Sequence, residues 1–219
     1  MFRRVYQLLA RRFAPAQHVV IQPASMCNNL AAILLAQNAA NRALLLFVTL
    51  EVFLATALDR AAHTDIDAYL PHRRASLSKI VPDLDARTSP VSMPERIAFS
   101  WITEAAQLFN VASRGLALRV MLMNFDRFLA DSELSLRRIL RHFSIPAEDY
   151  PSAGTRDGPA AAAQGHQRPA MHLPARRMEI LDASRAANGA AIKEGLKYAE
   201  RLMKTHPDLA ELTEKIPLG

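Results

Sequence analysis

Three short runs of the chain are apolar at nearly every position and lack the alternation of a half-exposed strand. They are His18–Gln22, Ala43–Val48 and Leu118–Phe125. Strands that helices bury on both faces have this pattern, which is typical of a parallel sheet. Because helical patterns lie between the runs, the sequence predicts a mainly helical α/β fold in which the three runs form a small parallel sheet.

The predicted helices differ in how clearly their ends are marked. In "DSELSLRRILRHFSIP", Asp131 or Ser132 can accept hydrogen bonds from the first free amides, and basic residues follow at the opposite end. The stretch "ERIAFSWITEAAQLFNVASRG" predicts a long helix upstream of it. Arg176–Lys204 predicts another long helix, bent or broken near Asn188-Gly189.

Composition divides the chain into three predicted parts. Residues 1–150 carry the α/β pattern and form one domain. Residues 151–174 contain four prolines, three glycines and a run of alanines, which indicates a flexible loop. Residues 175–219 are helical in pattern, and their apolar face predicts that they pack on the same domain.

Composition and charge narrow the class of protein. The chain has 219 residues, of which 50% are hydrophobic and 22% charged, so it can build one sizeable core. Its single cysteine, Cys27, cannot form an intramolecular disulfide, which favours a cytoplasmic location. The net charge of +6 favours an anionic partner or reflects an arginine-rich surface. No nucleic-acid recognition motif and no Cys/His metal spacing is present, so we expect neither nucleic acid nor metal as a partner.

Membrane insertion is not predicted. The most apolar region, Asn29–Leu58, is interrupted by amide and charged side chains, so we expect no transmembrane segment. The start, "MFRRVYQLLARRF", is basic and amphipathic, but its apolar run is too short for a secretory signal. We interpret it as a first helix docked on the domain, with a transit peptide as the alternative.

Three segments resemble, in order and rough spacing, motifs of the P-loop sulfotransferase family. "HVVIQPA" is similar to the family's strand ending in "KTHlP", and "NRALLLFVTLEVFLAT" to its strand-turn-helix "kiiYlvRnPrDvlvS". "NFDRFLADSELSLRRILRHFSIP" resembles its "YEDL" strand end and following helix, and the C-terminal helices look like those of bacterial members. The likeness covers about Gln17–Pro146. It implies an enzyme that moves a sulfuryl group from 3′-phosphoadenosine 5′-phosphosulfate to a hydroxyl or amine acceptor.

The departures from this pattern change what the resemblance implies. Only sixteen residues precede "QHVVIQ" and none is glycine, so the phosphate-cradling P-loop is missing and the domain is expected to be N-terminally incomplete. Ala24 stands where the family's general-base His would be. Val48 replaces the arginine that pairs with the 3′ phosphate, and Glu51 replaces the second basic residue. We therefore expect weak or absent sulfuryl transfer.

If a remnant cofactor site persists, the resemblance directs it to hydroxyl and amide side chains at the strand ends. These candidates are Ser25, Asn28, Thr49 and Thr56. Ser25 and Asn28 could instead cap the following helix. Trp101 could stack on adenine or lie in the core, and Asp126 could be functional or a turn residue. Arg137, Arg138 and Arg141 could form an anion patch or act as partners of the helix dipole.

Two classes of function stay open at this stage. The first is the sulfotransferase-like domain, with an unknown small-molecule acceptor. The second is a non-enzymatic protein-interaction module that uses the basic surface and the final helices. A sheet without its first strand would have an exposed edge, which also predicts association of copies of the chain.

Overall fold

The structure is a computed structural model of the chain. It describes residues 2–12, 18–23, 25–59, 64–84, 88–113, 117–146 and 174–213. In these parts the chain is mainly helical with one small sheet, as the sequence predicts. The loop was predicted at 151–174, and all of it except Pro174, which begins a helix, lies outside the described residues.

The elements follow one another in α/β order. The first half contains α1 (Phe2–Leu9), a 3₁₀ turn (Ser25–Leu30), α2 (Ala31–Ala36), β1 (Ala43–Phe47), α3 (Leu50–Asp59), α4 (Thr64–Leu77) and α5 (Met93–Ser113). The second half contains a 3₁₀ turn (Ala117–Arg119), β2 (Val120–Asn124), α6 (Phe125–Ala130), α7 (Ser132–Phe143), α8 (Pro174–Thr205) and α9 (Pro207–Thr213).

The sheet consists of two parallel strands in the described part of the chain. β1 and β2 pair in register from Ala43↔Val120 to Phe47↔Asn124. The predicted strands at Ala43–Val48 and Leu118–Phe125 are thus confirmed, each slightly shorter than its apolar run. The prediction for His18–Gln22 is wrong, because residues 18–23 have no regular structure and Val20 is 75% exposed. Two valines favour a strand only where a neighbouring strand and a covering layer can bury them.

The centre of the core is α5 and not the sheet. Helices α3, α4, α8 and α9 all pack against it, which accounts for a helix that is buried nearly all round. Its fully buried apolar side chains include Ile97, Phe99 and Ile102. With only two strands to cover, most of the apolar area is enclosed between helices.

Helix α8 runs without a break from Pro174 to Thr205, so the sequence prediction of a break near Asn188-Gly189 is wrong. A glycine inside a helix costs only about 1 kcal/mol relative to alanine, and packing against α3 and α5 offsets that cost. Gly195 has the opposite role, since a Cβ there would lie 2.7 Å from Leu54 Cδ2 and 3.0 Å from the carbonyl oxygen of Pro94. The glycine lets α8 approach α3 and α5 closely.

The N-cap predicted from the sequence is present at α7 but not at α2. Asp131 Oδ1 accepts a hydrogen bond of 3.0 Å from the amide of Leu134, as predicted for the start of α7. Helix α2 continues from the preceding 3₁₀ turn, and its N-cap residue Leu30 provides no side-chain hydrogen bond. Asn28 therefore does not cap this helix. No helix in the described ranges combines the length and apolarity needed to cross a membrane.

Candidate anion-binding groove

The carboxyl ends of the two strands lie side by side, because Phe47 pairs with Asn124 in the parallel register. The chain leaves β1 through Val48-Thr49 into α3, and it leaves β2 directly into α6. In open α/β sheets this edge is where ligands bind. A ligand can bind at this edge only through side chains that other groups of the protein do not already bond.

Groups of the protein itself form the hydrogen bonds of the turn at Val48-Thr49. Trp101 Nε1 donates a hydrogen bond of 3.0 Å to the Val48 carbonyl oxygen, and the indole is only 5% exposed. Trp101 is thus a core residue. Thr49 Oγ1 accepts a bond of 3.4 Å from the amide of Val52, which is the geometry of an N-cap of α3.

The hydroxyl of Thr56 also bonds the backbone of α3. Its Oγ1 donates a hydrogen bond of 2.8 Å to the Val52 carbonyl oxygen, four residues back. Thr49 and Thr56 are seven residues apart, which corresponds to roughly 10 Å along a helix axis. The structure therefore does not bring these two predicted site residues together around one phosphate group.

Asn28 belongs to a partly buried polar cluster with Glu104 and Arg73 and not to a ligand site. Its Nδ2 donates 2.9 Å to Glu104 Oε2, and Arg73 Nε donates 3.4 Å to Glu104 Oε1. Burial raises the pKa of Glu104 above its ordinary value, although Asn28 and Arg73 both oppose that shift. Ser25 begins the 3₁₀ turn that carries Asn28, and its side chain is outside the described part.

The two acidic residues that follow the strands are both paired with arginines of α8. Glu51 receives two hydrogen bonds from Arg185, at 2.7 and 3.1 Å, and Asp126 receives one from Arg177 at 2.9 Å. The bond to Glu51 raises the pKa of the Arg185 guanidinium. Asp126 is therefore part of an ion pair between α6 and α8. No local spacing in the sequence could have indicated these partners.

A groove of about 340 Å³ opens beside the strand ends, between the sheet and helices α6 and α7. Its lining residues are Phe47, Leu122, Met123, Asn124, Arg127, Ser135 and Arg138. Arg138 and Ser135 lie three residues apart on α7 and so share a face of that helix. Arg127 projects from α6, one turn after β2. The groove thus combines an apolar part with polar and cationic side chains.

The polar groups of the groove are mostly hydrogen-bond donors without partners. Arg127 and Arg138 make no side-chain hydrogen bond or ion pair with another residue of the described part. Asn124 Oδ1 accepts from the amides of Asp126 and Arg127, so within the same part only its Nδ2 stays available. Such a set of donors suits an oxyanion.

The sequence pointed to Arg138 only as one of three clustered arginines. The structure separates them, because Arg137 pairs with Glu133 at 2.6 Å on the outer surface while Arg138 lines the groove. The signal that was missed is the position of Arg127 directly after the carboxyl end of a predicted strand. Arg138 reaches the same groove from α7, a separate helix, so no spacing within one helix links it to Arg127.

No group of three or more His, Cys, Asp or Glu side chains that could hold a metal ion occurs among the described residues. Compared with protein-family models, with curated proteins and with solved structures, the chain matches none. Membership of the sulfotransferase family therefore stays a hypothesis supported by the sequence resemblance alone.

Proposed function

We propose that this chain is a sulfotransferase-like domain that binds an anionic small molecule in the strand-end groove and catalyses little or no sulfuryl transfer. The ligand class is a phosphate or sulfate ester with an apolar or aromatic portion. The observation that carries the proposal is that Arg127 and Arg138 line one groove without an acidic partner in the described part.

Charge explains why this groove would attract an ester anion. Each guanidinium that bonds an oxyanion contributes about 1.5–3 kcal/mol when the bond is formed. Two like charges that share a groove also repel each other, and a bound anion removes that repulsion. The buried hydroxyl of Ser135 adds a donor between the strands and α7.

The apolar residues of the groove indicate the chemical character of the uncharged part of the ligand. Phe47, Leu122 and Met123 lie on the same groove, so one part of the ligand would be desolvated there. A volume of about 340 Å³ is at the small end of the range for ligand sites. The groove therefore suits a single ring with one ester group better than a complete dinucleotide-sized donor.

Two features support the absence of efficient sulfuryl transfer. The carboxylate of Glu51 lies in the first turn of α3, at the place where the resemblance would put a cation for the 3′ phosphate. Arg185 neutralises this carboxylate, and its hydrogen bonds to Glu51 leave those donors unable to bind a phosphate. Gln22, Pro23 and Ala24 offer no side chain able to accept the acceptor's proton at neutral pH.

The proposal is tested by calorimetric titration of the full chain with 4-nitrophenyl phosphate, 4-nitrophenyl sulfate and 3′-phosphoadenosine 5′-phosphate at low salt. We expect at least one aryl ester to bind, and Arg127→Gln or Arg138→Gln to weaken it about tenfold or more. Arg137→Gln is the matched control, because Arg137 is adjacent to Arg138 but outside the groove.

Two results would contradict the proposal. Binding of none of the three probes at millimolar concentration would remove the groove as an anion site. Binding that Arg137→Gln weakens as much as Arg138→Gln would indicate attraction by net charge only. In a separate assay, turnover of 3′-phosphoadenosine 5′-phosphosulfate with a phenol acceptor would refute the non-catalytic part alone.

A further inference from the structure

Helix α1 has an apolar side whose described side chains are exposed. By helical spacing Val5, Leu8 and Leu9 lie on one side, Arg4 borders that side, and Gln7 lies on the opposite one. The three apolar side chains are 46%, 71% and 56% exposed. A globular protein normally turns such a face toward its core, so this orientation requires an explanation.

The way α1 is attached accounts for the exposure. Within the helix and its first following residue, only Tyr6 and Ala10 are partly buried among the described side chains. The Tyr6 hydroxyl donates 3.0 Å to Asn41 Oδ1 and accepts 2.7 Å from Asn41 Nδ2. Asn41 Nδ2 also donates 2.8 Å to the Leu34 carbonyl oxygen. The helix is thus held along one edge, and its apolar side faces away from the body.

The segment of the sequence that carries α1 has side-chain charges of one sign. The first fifty residues contain five arginines and no Asp or Glu, the first acid being Glu51. Arg4, Arg11 and Arg12 are all exposed. Seven of the eleven exposed large apolar side chains in the described part also belong to this acid-free segment: Val5, Leu8, Leu9, Val19, Val20, Ile33 and Leu46. Positive charge and exposed apolar area therefore coincide in one region of the chain.

We propose that α1 is a docking helix for an anionic lipid surface. Val5, Leu8 and Leu9 enter the boundary between headgroups and acyl chains, and Arg4, Arg11 and Arg12 lie at the level of the anionic headgroups. The edge attachment through Tyr6 allows the helix to lie flat on the surface while the body stays in water. This inference is independent of the anion-binding groove.

A lipid surface fits these observations better than a protein groove. Arginines at the border of the apolar side and after the helix suit an interfacial helix, because long cationic side chains can reach up to the headgroups. A helix of eight residues buries too little apolar area to bind a neutral membrane alone. We therefore expect binding to require both the leucines and a negatively charged lipid.

The experiment is flotation of the full chain with vesicles of phosphatidylcholine, or of phosphatidylcholine with a minor fraction of phosphatidylserine. We expect the chain to float with the anionic vesicles at low salt, to remain in solution with the neutral ones, and to be released as salt is raised. Leu8→Asp should lower the partition constant about tenfold or more. Arg4→Glu should lower it about tenfold, because a reversed charge replaces an attraction by a repulsion.

Matched substitutions separate docking from unspecific effects. Leu118→Asp introduces the same charge at a more exposed leucine outside α1, and Lys193→Glu changes the net charge as Arg4→Glu does. Both should bind at most about threefold more weakly than the unmodified chain. Circular dichroism verifies that each variant folds. If Leu8→Asp does not fold, Val5→Ser is tested in its place.

Three outcomes would overturn the proposal. The first is equal binding to neutral and anionic vesicles, or binding to neither. The second is a loss in Leu118→Asp or Lys193→Glu as large as in the α1 variants. The third is concentration-dependent self-association that Leu8→Asp abolishes, without vesicle binding, because a second copy of the chain would then cover the apolar face.

Discussion

Arg185 of α8 holds Glu51 of α3 through two parallel hydrogen bonds, Nε to Oε1 at 2.7 Å and Nη2 to Oε2 at 3.1 Å. This two-point geometry fixes both side chains, unlike a single contact between flexible groups. Both are partly buried, so solvent screens the pair less than an exposed one. Arg185 also bonds Asp182 on its own helix at 2.9 Å.

Replacing Arg185 should therefore destabilise the fold. We expect Arg185→Met to lower the free energy of unfolding by about 1 kcal/mol, because Glu51 loses both of its donors. Arg176→Met, on the same helix, removes an exposed pair with Glu179 and should cost less than about 0.5 kcal/mol. Urea unfolding followed by circular dichroism measures both. Equal effects of the two substitutions would disprove a special role of the Glu51 pair.

The two glycines of α8 should respond oppositely to alanine. Gly195→Ala places a Cβ 2.7 Å from Leu54 Cδ2 and 3.0 Å from a backbone oxygen, so we expect a loss of about 1–3 kcal/mol. Nothing lies within 4 Å of the Cβ built at Gly189, so Gly189→Ala should stabilise by up to about 1 kcal/mol. Thermal unfolding of the two variants tests the pair. A stabilised Gly195→Ala would show that α8 can move away from α3 at little cost.

Glu104 should make stability depend on pH in a specific direction. Burial raises the folded-state pKa of this carboxyl above the ordinary value of 4.5, so the folded protein holds the proton more tightly than the unfolded chain. Its stabilising contribution is complete below that ordinary value and is lost as pH rises through the folded pKa. Relative to Glu104→Gln, the unmodified chain should therefore be most stable at acidic pH and lose that advantage toward neutral pH.

The Glu104 prediction is measured by urea unfolding of both chains across this pH range. Asn28→Ala supplies the control. Asn28 donates to the carboxylate and lowers its pKa, so without it the loss of stability should move to higher pH. A difference between the unmodified chain and Glu104→Gln that does not change with pH, or that grows toward neutral pH, would contradict the assignment.

Trp101 should matter for its hydrogen bond as well as for its volume. Trp101→Phe removes the donor to the Val48 carbonyl oxygen and should cost about 1–3 kcal/mol if that carbonyl stays unpaired. Thr56→Val removes a bond to a carbonyl within α3 and should cost less than about 0.5 kcal/mol. Chemical unfolding followed by circular dichroism compares the two, since Trp101 is the only tryptophan. A neutral Trp101→Phe would show that the turn finds another donor.

The parts of the fold that the sequence predicted depend on local pattern. Apolar runs at β1 and β2 and the cap at Asp131 can be identified without knowing which residues lie nearby in space. Val19 and Val20 have the same local preference for a strand, but no strand in the described ranges pairs with them. The strand prediction failed there because pairing is a tertiary property.

The candidate site was harder to predict for a related reason. Thr49 and Thr56 have the right functional groups, but nearby backbone atoms of α3 bond their hydroxyls first. The ion pairs of Asp126 with Arg177 and of Glu51 with Arg185 join residues 51 and 134 positions apart. Pairings at such separations leave no periodic signal in the sequence.

The pairing of α8 with both strand ends also determines the order in which the chain can fold. Beyond its two ion pairs, α8 covers α3 through Ser184, whose Oγ donates 2.6 Å to the Ala55 carbonyl oxygen. Contacts that span more than a hundred residues form late, because a long loop must close before they contribute. During synthesis, α3 can pack on α5 early, but it waits for most of the chain to emerge before α8 can cover it. Until then, the face of α3 that α8 covers is exposed to chaperones and to other nascent chains.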